Sequence, residues 1–324
     1  MTQSARLSPF GVIALLIFAL GLALIWGPIT LHVSDLWHVL VGDGTTLHRT
    51  VVLQVRLPRA LLAAIVGGNL AVSGVLLQSA LRNPLGDPHL VGISSGAGLG
   101  AVLAFMFFPM NFSVLSGFAF LGAILSCAAV YLLAYQTGAS PVRLILAGVA
   151  ITSLLGALTN ALLSFSGMSV QIALSWLAGG FSGRSWAELN LVLPWTAVGI
   201  LGALWMARMM NVLALGDQTA SALGLSVDRV RLLLLVLGAL LAGSSVAVSG
   251  VIGFVGLMVP HVVRLLVGHD HMRCVPLAFG LGAALLCLAD TLARNLLDPV
   301  ELPVGVFTAA LGVPYFLQML RGKR

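Results

Sequence analysis

Eight long stretches of this sequence carry no Asp, Glu, Lys or Arg: residues 7–34, 60–81, 88–142, 144–183, 189–207, 232–263, 274–289 and 302–320. A helix of about 20 apolar residues crosses the hydrocarbon core of a bilayer, so runs of this length read as membrane spans. The run at 88–142 is long enough for two helices, broken near Pro109, Met110 and Asn111. The run from Leu144 holds one helix and then a polar break at 166–169, and the run at 232–263 divides at Gly250 or Gly253. Ten spans result, at about 10–30, 60–81, 90–108, 114–135, 144–165, 190–208, 230–249, 254–268, 275–293 and 304–320. Arg6 and the apolar residues after it could open a cleavable signal, but the nine spans that follow favour a first membrane helix. With 59% hydrophobic and 8% charged residues, the composition excludes an ordinary soluble domain. The expectation is an all-α membrane protein, one transmembrane domain over residues 1–324.

A repeat lies inside this pattern. Residues 61–84 and 237–260 agree at 10 of 24 positions without a gap, sharing an Ala-Val-Ser-Gly core (Ala71 to Gly74, Ala247 to Gly250) and a later proline, Pro84 or Pro260. Chance would give about two or three identities in a chain of this composition. The copies fall in the second and seventh spans, an odd number of crossings apart, so they run in opposite directions. That is an inverted-topology repeat, with halves at about 57–165 and 230–320, as in many transporters.

Ten spans put both termini on one side. With the N-terminus inside, eleven Lys and Arg lie in cytoplasmic segments and five (Arg49, Arg56, Arg59, Arg184, Arg294) lie outside, as the positive-inside rule asks. The net charge of +6 therefore reflects orientation and contact with anionic membrane lipid, not nucleic acid. The single lysine, Lys323, serves no phosphate-binding loop, and no zinc-protease motif or nucleophile elbow occurs. Cys127, Cys274 and Cys287 have no metal-ligand spacing and read as small packing residues.

Two features stand out against this blank background. Asp290 is a carboxylate deep in a span, where ionisable groups usually signal function; a plainer reading pairs it with Arg294 one helical turn on. The segment 209–228 is the longest polar break. Within it Gly216 and Asp217 open a short helix, with the acid complementing the dipole, and Leu223 and Gly224 end it. Ala220 and Leu223 would form its apolar side, and Gln218, Thr219 and Ser221 its polar side.

Several motifs act together: RLPR (56–59), RNPLGDPHLVGISSGAG (82–98), LAGVA (146–150), WLAGGFSGRSW (176–186), LALGDQTASALGLSV (213–227), GFVGLMVPHVVR (253–264), LADTLAR (288–294) and ELPVGVFTAALGVP (301–314). In these the chain resembles the permease subunits of the type II ABC importers for iron chelates and cobalamin. The resemblance implies ten helices, a second identical or different permease subunit, two cytoplasmic ATPases and a periplasmic binding protein, in the bacterial inner membrane with both termini cytoplasmic. ATP and Mg would be used by the ATPase, with no cofactor or metal on this chain. The cargo implied is a bulky metal chelate, a ferric siderophore first, then cobalamin or haem.

The same resemblance assigns residues. Leu215, Gly216, Asp217, Ala220, Leu223 and Gly224 match the element that couples to the ATPase. Arg56, Arg59 and Arg294 match arginines that receive glutamates of the binding protein at the outer rim. Asn83, Leu85, Pro141 and Val142 match the cytoplasmic gate. The fifth and tenth spans match the pathway helices, and 171–179 and 301–305 match short half-helices at its outer mouth. Two positions depart from the pattern: Val251 follows Gly250 where proline is common, and Gly86 stands for alanine. The alternatives are an ion-coupled carrier, favoured by the repeat and Asp290, and a membrane enzyme, for which no constellation exists.

Overall fold

A computed structural model describes residues 9–108, 111–135, 140–165, 170–297 and 300–321. The expected breaks at 109–110 and 166–169, and the terminal basic residues Arg6, Lys323 and Arg324, lie outside the described residues. The helices are α1 (Pro9–Ile25), α2 (Val33–Val41), α3 (Thr46–Thr50), α4 (Leu57–Ala80), α5 (Ile93–Phe107), α6 (Phe112–Ala134), α7 (Pro141–Phe165), α8 (Val170–Leu177), α9 (Trp186–Leu213), α10 (Asp217–Ala222), α11 (Val227–Ser249), α12 (Val255–Val267), α13 (His271–Asn295) and α14 (Val304–Arg321).

Each expected span coincides with one helix, but the helices are of two kinds. Six, including the continuous Thr46–Ala80, are long and apolar enough to cross a membrane; the other four, α1, α5, α12 and the apolar part of α14, are shorter. The expected half-helix at 171–179 appears as α8, whereas 301–303 has no helical structure and leads directly into α14. Pro303 disfavours helical geometry at Leu302, which keeps this lead-in extended.

Helix α4 is the axis of the bundle. Its closest approaches are made at glycines: a Cβ on Gly74 would overlap the carbonyl of Gly256 in α12, and one on Gly67 would overlap that of Gly282 in α13. Apolar side chains gain little from each other over lipid tails, so close backbone approach at small residues is what holds such helices together. The repeat copies pack on one another. Ser73 Oγ donates to Gly238 O at 2.7 Å, and Arg231 Nε donates to Ala80 O at 2.9 Å. The end of α4 thus meets the start of α11, and the two copies run antiparallel.

Two irregularities shape the end of the bundle where α4 starts and α11 stops. Before α4, Val51–Arg56 is a π-helical turn in which Leu57 N–H reaches Val52 O. Pro58 lacks an N–H and would break an α ladder here; widening by one residue keeps the helix continuous and re-aims Arg56 and Arg59. At this same end of the bundle, Gly250 (φ 71°) stops α11, and a Cβ there would overlap Trp176 O. Glycine is required for both reasons.

Candidate functional site

At the end of the bundle where α4 stops and α11 starts, α10 lies across the surface between two glycines of positive φ, Gly216 (111°) and Gly224 (86°). The expected bounds hold, but the expected faces do not. Ala220 is fully buried, while Leu215 and Leu223 are 61% and 64% exposed beside exposed Gln218, Thr219 and Ser221. Ala220 is therefore a packing residue beneath the helix. Asp217 also faces inward: its carboxylate accepts from Arg231 Nη2 at 2.9 and 3.0 Å, and Arg82 Nη1 stands 3.5 Å away. Since buried Arg231 also holds the last carbonyl of α4, one guanidinium bolts α10 to both repeat copies. The sequence shows Asp217 as a dipole partner; its arginine, 14 residues on, becomes a neighbour only when α11 folds back.

Of the residues expected at a cytoplasmic gate, Asn83 and Leu85 follow the end of α4. Asn83 Oδ1 accepts from Leu85 N–H at 2.9 Å, a turn of the kind Asn favours after a helix. Pro141 is the first residue of α7 and Val142 beside it is 66% exposed. The loop after Asn83 is pinned to α7, with Thr152 Oγ1 donating to His89 O at 3.0 Å. No hydrogen bond among the described residues joins the Asn83–Leu85 turn to Pro141 or Val142.

The opposite end holds the three expected arginines, turned inward. Arg56 is 3% exposed, and its Nη1 donates to Leu24 O (2.8 Å) and Ile25 O (2.9 Å), its Nη2 to Ile29 O. Arg294 donates from Nη2 to Trp26 O at 2.8 Å and to Ala23 O. Both satisfy the orphan carbonyls at the end of α1, where a positive charge is also favoured by the helix dipole. Arg59 makes a bidentate bond to Asp290 (Nε to Oδ2 and Nη2 to Oδ1, both 2.9 Å), and its Nη1 bonds both oxygens of Glu301 at 3.1 Å. The three arginines expected at an exposed rim are thus buried in a knot, with carbonyls at the end of α1 and two acids as their partners. The Asp290–Arg294 pairing is corrected: Asp290 binds Arg59 on another helix. Glu301 and Asp290 were not assigned this role from sequence, since they lie 242 and 231 residues from Arg59.

Glu301 lies in the non-helical lead-in to α14. Partial burial pushes its pKa up, but its hydrogen bonds and proximity to Arg59 outweigh this and hold it below the usual range. Beside it a cavity of about 370 Å³ is walled by Arg59, Trp176, Arg184 and Glu301. The burial of Arg184 lowers its pKa.

Between the ends, α7 stands at the margin of the bundle. Only Leu144, Gly148 and Thr159 are buried on its 25 residues. Ala150, Ser153, Ala157, Asn160 and Ser164 are exposed, and their spacing of three and four places them on one face. In α14, Val306, Leu311, Val313 and Leu317 are likewise exposed.

A family model described as the FecCD transport family matches residues 15–322. Among curated relatives, a cobalamin import system permease of Halobacterium salinarum is 43% identical over 85% of this chain and 74% of its own length. A hemin transport system permease of Yersinia pestis is 42% identical over 97% of this chain and 95% of its own. A solved structure described as an inward-facing metal-chelate type ABC transporter superposes with a TM-score of 0.88 at 33% identity, covering 96% of this chain and 98% of the other.

Proposed function

The chain belongs to the FecCD transport family, and from that premise we propose that it is the permease subunit of an ATP-driven importer carrying a bulky metal chelate across the bacterial inner membrane. The observation that carries this reading is α10, fastened by Asp217 and Arg231 to both repeat copies while presenting Leu215 and Leu223 to solvent. A lever needs a rigid attachment and a free face that a partner can grip. The partner is a cytoplasmic ATPase, which supplies the nucleotide and Mg chemistry; Asn83, Leu85, Pro141 and Val142 close the inner end of the path.

Two relatives named for cobalamin and hemin lie at nearly equal identity, so sequence similarity supports the cargo only as a class. A ferric siderophore belongs to that class equally. The proton-relay alternative loses its support, since Asp290 is tied in a bidentate bond to Arg59.

The test changes the exposed face alone. Leu215→Asp with Leu223→Asp should leave abundance and membrane insertion intact, remove co-purification of the ATPase and reduce ATP-dependent uptake to background. ATPase recovery at the wild-type level with normal uptake would overturn the role of α10.

A further inference from the structure

A groove of about 910 Å³ opens on the flank of the bundle where α1 begins, α12 ends and α13 begins. Its walls include Val12 and Leu16 of α1, Leu265 of α12 and Leu277 of α13. Pockets of roughly 300–1,000 Å³ hold small organic ligands. The outer face of α1 beside it is apolar and bare, with Phe10 81% and Ile17 65% exposed, as a surface in lipid would be.

The mouth of the groove is basic. Arg264 stands on the last turn of α12 and Arg273 on the first turn of α13. Arg264 is partly buried and donates to Gln78 Oε1, and among the described residues no carboxylate forms an ion pair with it. Arg273 is exposed, and its contact with Asp270 is loose, at 3.8 Å. The other oxygen of that acid, Oδ1, accepts from Asn211 Nδ2 at 2.8 Å and from Met272 N–H at 3.1 Å, capping α13, so only Oδ2 faces Arg273. A partly desolvated guanidinium without a counter-charge is costly unless an anion completes it.

We propose that this groove binds an anionic phospholipid, an acyl chain lying between α1, α12 and α13 and the phosphate held by Arg264 and Arg273. Basic pockets between membrane helices at headgroup depth suit such lipids. The permease reading enters only in assigning the lipid to the cytoplasmic leaflet. Gln78 also donates to Gly256 O at 3.1 Å, so phosphate on Arg264 would be one side chain away from the α4–α12 contact.

The test uses the full chain purified in detergent, with bound lipid read by native mass spectrometry against dioleoyl phosphatidylglycerol, dioleoyl phosphatidylcholine and soluble glycerol 1-phosphate. Phosphatidylglycerol should be retained in preference to phosphatidylcholine, and glycerol 1-phosphate should not displace it. Arg273→Gln should weaken retention about fivefold, and adding Arg264→Gln should weaken it by a similar factor again. Leu277→Trp, which fills the groove, should abolish retention without touching a charge. Should Arg264→Gln fail to fold, Arg273→Gln and Leu277→Trp decide the matter. Equal retention of the two lipids, displacement by glycerol 1-phosphate, or unchanged retention in Arg273→Gln and Leu277→Trp would each overturn the proposal. The readout is lipid mass, so it stands whether or not the chain transports a chelate.

Discussion

Arg59 bonds two acids on two other segments, and its loss should be felt as an unpaired charge rather than as a missing contact. Breaking a buried ion pair by removing one partner typically costs about 3–5 kcal/mol, whereas replacing both partners with apolar groups is often neutral. Arg59→Met is therefore expected to lower the thermal unfolding temperature in detergent by several degrees, and Arg59→Met with Asp290→Leu to recover most of it. Equal destabilisation by the single and the double change would show that the pair has no such role. Glu301 adds a pH dependence of known sign. Its folded pKa is lower than its ordinary value of 4.5, so its contribution is complete above that value and fades as pH falls through the folded pKa. The unfolding temperature of Glu301→Gln should lack this acid-limb slope, measured between pH 6 and pH 3. The sequence was informative in singling out Arg56, Arg59 and Arg294 and silent on which way they point. A guanidinium written on a helix end can face a partner or its own fold, and the deciding groups, Glu301 and the last carbonyls of α1, are brought there by tertiary folding.

Most helices were legible because lipid disfavours charge in a span, so many boundaries lie near a charged residue, as α9 does between Glu188 and Arg208; the breaks inside the charge-free runs, such as that at Gly250, had to be read from glycine, proline and polar residues instead. The six-residue α10 was less so. One and a half turns give no reliable apolar period, and the burial of Ala220 depends on where Arg231 and the end of α4 come to lie. Close packing was visible in the repeat, whose shared Gly67 and Gly74 are the points where α4 touches α13 and α12. Gly74→Val should accordingly fail to assemble, because backbone cannot move away as a flexible side chain could, and protease-resistant protein should fall to a small fraction of wild type. Gly117 in α6 has nothing within 4 Å of an added Cβ. Gly117→Ala should be neutral or stabilising by up to about 1 kcal/mol from helix propensity alone. If the two variants behave alike, the packing argument for α4 is wrong.

At the scale of the whole molecule, the chain alone leaves a membrane helix unfinished. The apolar stretch of α7 is 17% buried, against 89% for that of the continuous helix that ends in α4. Its face of Ala150, Ser153, Ala157, Asn160 and Ser164 carries the polar side chains of Ser153 and Asn160, which lipid tails would leave unsolvated; the Ser164 hydroxyl donates to Asn160 O at 2.9 Å. The outward face of α9 shows the contrast, with the hydrophobic Val198, Leu201 and Trp205 exposed. Small residues by themselves could equally mean tight helix packing, which is why the sequence did not separate the two readings; it is the polar Ser153 and Asn160 on this exposed face that favour a water path shared with a second permease subunit. Ala157→Cys should then react with a hydrophilic maleimide far faster than Leu201→Cys, and a bifunctional maleimide should join two copies through position 157 if the pair is identical. The buried Cys127, Cys274 and Cys287 should contribute little background. Equal, slow labelling at 157 and 201 would place α7 in lipid and remove the central path from between the subunits.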